Sequence, residues 1–245
     1  MRHGNDKQAK RGKSYSNRVK TSLTIGIDLR FPEVTFGRGR GRYTLQQLHG
    51  VIQATPQHRY ILFCLKKIPP SLQRFEQYPN VKLANHFNRY DLNLFHRGEA
   101  YRQALTQLID GVAWDNALDV LHLPILHNFI QPIPAQITAC PVVVTVYDLI
   151  PYLFKMHFQQ TPALTHYYKL ALDYLHHADY LLVISESTQH DVHQLIGYPP
   201  EHVQVAYPAV DARFKRLDDT VCHACLKRLW TRLKMPAPTN YIFTV

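Results

Sequence analysis

Residues 141–151 read PVVVTVYDLIP. Val142 to Val146 are apolar or β-branched at successive positions instead of alternating with polar residues, the pattern of a strand covered on both faces. The run stops at Asp148, a carboxylate whose place at the end of such a strand is costly unless it is hydrogen-bonded or functional. A loop cap and a binding or catalytic group both meet that condition. Pro151 is expected to turn the chain away from helix.

Six further stretches share this strand character: LTIGIDLR (23–30), RYILFCL (59–65), NVKLA (80–84), DVLHL (119–123), ADYLLVIS (178–185) and HVQVAY (202–207). Helical stripes lie between them. One carries Leu45, Leu48, Val51 and Ile52; a second carries Leu164, Tyr167, Tyr168, Ala171, Tyr174, Leu175 and Ala178. A third carries Thr188, Val192, Leu195 and Ile196, opened by Ser185 as N-cap and closed by Gly197. Strands and helices in alternation predict a doubly wound, mostly parallel α/β sheet of Rossmann-like form. The aromatic stripe reads as core. Stretches 85–96 and 124–134 are too irregular for ordinary connections and are expected to shape a cleft.

With 245 residues and 46% apolar content, the chain can bury a sizeable core. Its formal charge is +10, but residues 1–20 hold seven Lys or Arg against Asp6 alone, so the basicity is largely local. Residues 1–22 read as a disordered basic tail, with weak attraction to acidic lipid or nucleic acid as the alternative use. That tail lacks the apolar run of a secretory signal, and no stretch approaches the roughly 18 apolar residues of a membrane helix. Scattered cysteines (Cys64, Cys140, Cys222, Cys225) suit reduced thiols in a cytoplasmic protein. The Cys222–Cys225 pair has no second pair at zinc spacing, so no metal is expected. Residues 23–215 form the α/β domain in this reading. Residues 216–245 form a linker helix and a strand, YIFTV, that opens a second domain.

Ligands of open parallel sheets bind beyond the carboxyl ends of the strands. Four polar clusters fall there: Asp28 and Arg30 with the glycine-arginine stretch FGRGRGRYTLQQL (36–48), His122, Tyr147 with Asp148, and Ser185 with Glu186. The glycine-arginine stretch does not match G-x-G-x-x-G, because Arg42 stands where the third glycine is required. It is also too short for an RNA-binding arginine-glycine tract, so specific nucleic acid is not expected. A turn whose glycines adopt positive φ, delivering a helix N-terminus to an anion such as a diphosphate, fits it. So does a solvated loop with snorkelling arginines. Ser185 and Glu186 equally satisfy plain N-capping and the helix dipole.

The order IGIDLR, GRGRYT entering a helix, VVVTVYDLIP, a tyrosine-rich helix, ADYLLVISESTQHDV and VQVAYPAVDARF resembles the N-terminal domain of glycosyltransferase family 4. These are retaining enzymes of the GT-B type. The resemblance implies that Gly39, Arg40, Gly41, Arg42 and Tyr43 form the glycine-containing loop that approaches the donor diphosphate and sugar. Tyr147 and Asp148 match a catalytic pair that is His-Asp in many members, with Tyr147 here in place of the His; Ser185 and Glu186 would line the cleft. It further implies a nucleotide-sugar donor and a glycan or lipid-linked acceptor in cell-surface polysaccharide synthesis. The setting would be cytoplasmic, at a peripheral membrane surface on the inner face, with no cofactor and no metal.

The family's C-terminal domain supplies a basic pair and an E-x7-E motif for the donor, and neither is found in these residues. The chain is accordingly expected to be the acceptor-side half of such an enzyme. It would require a missing C-terminal domain or a complementary chain, and a β-branched residue at Gly41 is expected to cripple transfer without unfolding. The competing expectations are a non-catalytic α/β binding module and a different Rossmann-type nucleotide enzyme.

Overall fold

The computed structural model describes residues 20–31, 33–87, 98–126, 133–209 and 218–236. The basic tail up to residue 19, most of the two irregular stretches and the strand expected at 241–245 lie outside these residues. All seven strands foreseen in the α/β domain form: β1 (Thr24–Asp28), β2 (Arg59–Leu65), β3 (Val81–Phe87), β4 (Val120–Leu123), β5 (Val142–Val146), β6 (Tyr180–Val183) and β7 (Val203–Val205). They make one sheet of order β3-β2-β1-β4-β5-β6-β7, and every pairing is parallel. The strand order reverses between β1 and β4, which sets the topological switch point there.

Helices cover both faces. On one, α2 (Gly39–Ala54) and α3 (Pro70–Gln73) pack Leu45, Leu48, Ile52 and Leu72 against Ile27, Tyr60, Leu62 and Cys64. On the other, α4 (Glu99–Asp115), α7 (Pro162–Leu175) and α8 (Glu186–Ile196) pack against Ile61, Phe63, Leu121, Val144 and Leu181. Successive β2 residues Ile61, Leu62 and Phe63 point to alternate faces and are all buried, which explains the unbroken apolar runs. Short helices complete the order: α1 (Glu33–Phe36), α5 (Ile150–Leu153) and α6 (Lys155–Phe158). Pro151 therefore does not exclude helix, as the sequence suggested. It sits in the first turn of α5, where its missing N–H is no loss.

The tyrosine stripe of α7 is core, and buried tyrosine hydroxyls in and beside it bond to backbone carbonyls. Tyr167 donates to the Leu126 carbonyl at 2.9 Å, Tyr152 to the Tyr168 carbonyl at 2.6 Å, and Tyr198 to the Ala178 carbonyl at 2.8 Å. Thr161 caps α7 by accepting the Leu164 amide, with Pro162 following it. On α4 the buried Asp110 accepts the Thr138 and Ala139 amides at 3.0 Å each, tying down the chain that enters β5.

The chain divides into two compact units, Met1–Tyr207 and Pro208–Val245. Within the second, α9 (Asp219–Leu233) is capped by Asp218, whose carboxylate accepts the Val221 amide at 2.9 Å; no residue of this helix is buried. Among the described residues no helix is long and apolar enough to cross a membrane.

Candidate functional site

Three elements converge beyond the carboxyl ends of the central strands. The first is the start of α2. The glycine-arginine stretch is not a positive-φ loop: Gly39, Arg40 and Gly41 already belong to the first helical turn, and among the described glycines only Gly197 has positive φ, at 61°. Gly41 is needed for a different reason. A Cβ there would lie 2.0 Å from the Thr35 carbonyl oxygen and 2.6 Å from Phe36 Cα, so this turn of α2 packs directly on the backbone before it. A Cβ on Gly39 would meet nothing within 4 Å. The first intrahelical bond runs from the Arg42 amide to the Arg38 carbonyl at 2.8 Å, and Arg38 provides no side-chain cap. The Gly39 and Gly41 amides precede that bond, at the positive end of a 16-residue helix dipole. Arg38, Arg40 and Arg42 are exposed around it.

The second element is the end of β5. Tyr147 reaches across to α2, its hydroxyl 3.1 Å from Thr44 Oγ1 and 3.3 Å from the Arg40 carbonyl. Thr44 donates to the Arg40 carbonyl at 2.9 Å and Tyr147 donates to the same carbonyl, so the Tyr147 proton is engaged within the protein. Burial pushes the Tyr147 hydroxyl well above its usual range, with the Thr44 hydrogen bond and the Arg40 charge only partly opposing. The group is a neutral hydroxyl, not a base, at any physiological pH. Tyr43 packs edge-on against the Tyr147 ring at 5.5 Å and donates to the Ala206 carbonyl at 3.3 Å. Asp148, partly exposed, accepts the Ile150 amide through Oδ1 at 3.1 Å.

The third element is the start of α8. Ser185 caps it by accepting the Thr188 amide at 3.1 Å, and Thr188 donates to the Tyr147 carbonyl at 3.0 Å, which joins this helix to the β5 end. Glu186 is exposed in the first turn and accepts from the Tyr207 hydroxyl at 2.7 Å, just past β7. Gly39 to Tyr43, Tyr147 with Asp148, and Ser185 with Glu186 thus share one rim of the sheet. Thr44, Thr188 and Tyr207 join them without having been read as site residues in the sequence. Tyr207 was open to the strand-end rule. The two threonines become visible only when α2 and α8 flank Tyr147.

Two other strand-end clusters do not belong to this rim. Asp28 and Arg30 form a buried ion pair, Nε to Oδ1 at 2.8 Å and Nη2 to Oδ2 at 2.7 Å, with Arg30 fully buried over the Phe87 ring at 5.0 Å. Both charges are committed to each other. His122 points instead to the α2 face of the sheet, where Nε2 lies 2.8 Å from Thr145 Oγ1 in a cavity of about 230 Å³ lined by Ile25, Val120, Val143 and Leu182. Burial lowers its pKa to about 4, against a smaller opposing pull from Asp28. Strand parity decides this: His122 pairs in register with Ile27, whose side chain faces α2.

Set beside known proteins, the fold is similar to that of Anabaena HepE. A glycosyltransferase from Rickettsia africae ESF-5 is 12% identical with a TM-score of 0.48, over 88% of this chain and 50% of that one. Anabaena HepE in complex with UDP and glucose is 14% identical with a TM-score of 0.51, over 86% of this chain and 50% of HepE. HepE in complex with UDP-glucose is 15% identical with a TM-score of 0.50. This chain spans about half the length of those structures. No curated protein matches it. The model of Glycosyltransferase Family 4 matches residues 39–214, which run from the first turn of α2 past Tyr207 and contain the whole rim. The chain therefore belongs to glycosyltransferase family 4.

Proposed function

We propose that this rim is the acceptor-side wall of a glycosyltransferase cleft, which moves a hexosyl group from a nucleotide-sugar donor to a glycan or lipid-linked acceptor. The work is synthesis of a cell-surface polysaccharide at the cytoplasmic face of the membrane. The observation that carries this reading is the convergence of the α2 N-terminus, Tyr147–Asp148 and the α8 N-terminus at one end of the sheet, within the segment that matches the family. A helix N-terminus ringed by three arginines suits a diphosphate, since amides and guanidinium groups stabilise the same negative charge. Tyr147, kept protonated and already donating within the protein, accepts from a sugar hydroxyl. Asp148 accepts from another, or takes the acceptor's proton as the new bond forms. Glu186, steadied by Tyr207, lines the opposite side. A second α/β lobe closes the cleft over the donor, and no cofactor or metal is assigned to the transfer.

Isothermal titration of the full chain with UDP, UDP-glucose, GDP-mannose and NAD tests the reading; UDP-glucose is the first probe because HepE binds it. Saturable binding of a nucleotide sugar is expected, weakened about tenfold by Arg40→Ala, the loss of one charge-assisted contact. Binding of NAD with no response to any nucleotide sugar would sink the proposal.

A further inference from the structure

The cavity that His122 enters has a topological origin. α7 and α8, the helices that join β5 to β6 and β6 to β7, both pack on the sheet face of Val144 and Leu181. Register places Val143 beside His122 and Leu182 beside Thr145, on the α2 face, where Val143 and Leu182 are only partly buried. The core cluster beneath α2 contains no residue of β5 or β6. Between α2 and these strands lies the cavity of about 230 Å³. Ile27, Leu48 and Tyr60 are its buried lining; Gln47, Val51 and Leu182, partly exposed or exposed, mark its mouth.

The lining chemistry narrows what this cavity accepts. No Asp, Glu, Lys or Arg lines it, and its polar groups are mostly engaged: Thr44 donates to the Arg40 carbonyl, the Tyr60 hydroxyl bonds to Thr55, and His122 bonds to Thr145. The imidazole is neutral at pH 7, since burial lowers its pKa to about 4. Among the described residues Gln47 is the polar lining residue whose side chain has no hydrogen bond. Ions and sugars would therefore lose their hydration without replacement. Aliphatic side chains and two rings, Tyr60 and His122, offer instead the contacts that suit a flat apolar body. A dry cavity of about 150 Å³ lined by Leu, Ile and Phe holds one benzene, and the larger volume here suits two fused rings. We infer that the cavity is a binding site for a neutral, flat aromatic molecule of two fused rings, its body against Ile27, Leu48 and Leu182 and its polar edge on the Gln47 amide. Thr44 lines this cavity and also holds the Arg40 carbonyl beside Tyr147, so an occupant presses on the turn of α2 that forms the rim. The inference stands on the cavity and does not require the transfer reading.

The test is isothermal titration of the full chain with indole, an apolar bicycle carrying one N–H. Saturable one-to-one binding is expected, weakened at least about tenfold by Leu182→Trp, which fills the mouth with a ring of its own. Circular dichroism checks the fold, and Val143→Phe, a smaller filling, serves if Leu182→Trp does not fold. Independently, bound indole should slow hydrogen exchange in peptides covering residues 39–54 and 142–146, and UDP-glucose should not displace it. Absence of saturable binding, equal binding by wild type and the filled variant, protection confined to other residues, or displacement by UDP-glucose would each overturn the inference. So would a wild-type dimer that Leu182→Trp abolishes while indole fails to bind, since the cavity would then belong to a second copy. Failure of nucleotide-sugar titration would leave the indole result untouched, so the two proposals fail separately.

Discussion

Three glycines share helix α2, and the structure assigns them different responses to the same substitution. An alanine in a helix interior is favoured over glycine by about 1 kcal/mol, because glycine loses more backbone freedom on folding. At Gly50 a new Cβ would meet nothing within 4 Å, so Gly50→Ala should keep most of that gain. At Gly41 the same atom would sit 2.0 Å from the Thr35 carbonyl oxygen and 2.6 Å from Phe36 Cα. These are backbone atoms and cannot rotate aside. The Thr35 carbonyl also accepts the Arg38 amide at 3.1 Å, so moving it disrupts the turn that leads into the helix. Overpacking of this kind costs about 1–3 kcal/mol, and it must first cancel the propensity gain. The two variants should differ in unfolding free energy by about 1–3 kcal/mol, the overpacking cost itself, with Gly50→Ala above wild type and Gly41→Ala below Gly50→Ala. Urea unfolding followed by circular dichroism reads this directly as separated midpoints at a common slope. The result also replaces the expectation that a β-branched residue at Gly41 would abolish function in an intact fold: function and stability should fall together. If Gly41→Ala proves as stable as Gly50→Ala, the α2 N-terminus is not packed on residues 35–36, and the placement of Arg40 beside Tyr147 loses its support.

Three further outcomes are expected. His122 has a folded pKa near 4 against an ordinary 6.5, so between those values the unfolded chain takes up a proton that the folded chain refuses. Stability should therefore fall as pH drops below about 6.5, and His122→Gln should remove about 2 kcal/mol of the loss between about pH 7.5 and pH 4.5, read as urea midpoints at the two pH values; equal acid sensitivity in both proteins would place the imidazole in open water. Ser185→Ala should cost about 1 kcal/mol through loss of the α8 cap, whereas Ser185→Asp should cost little, a contrast visible in thermal unfolding. Arg30→Leu leaves the Asp28 carboxylate buried without its cation and should cost about 3–5 kcal/mol, while Asp28→Asn/Arg30→Leu should recover much of that in the same urea assay.

The strands and helices were legible because burial is written into each residue separately. Val142 to Val146 are apolar or β-branched wherever they stand, and the α7 stripe repeats at helical spacing, so Tyr167, Tyr168, Ala171, Tyr174 and Leu175 lie buried as that spacing requires. Ser185 and Gly197 bound α8 by rules that act within a few residues, and both caps form. The misread features depend on partners that spacing does not name. Alternating glycine and arginine look the same in a turn and in a first helical turn; the Thr35–Phe36 backbone beneath Gly41 decides between them. His122 and Asp28 both lie at or next to strand ends, but strand parity sends one into a cavity beneath α2 and the buried Arg30 claims the other.

The rim itself is the least local feature of all. Tyr147 meets Arg40 across 107 residues of sequence and Thr44 across 103. These contacts exist because β1 and β4 are neighbours, so that α2 leaves the sheet in one direction while β5 is laid down in the other. The same step of topology sets what Tyr147 can do. Had α2 started elsewhere, the phenol at the β5 end would have had its proton to give to a ligand; with Thr44 and the Arg40 carbonyl in place, it is left to accept. The chemistry available at position 147 is therefore fixed as much by strand order as by the presence of tyrosine there.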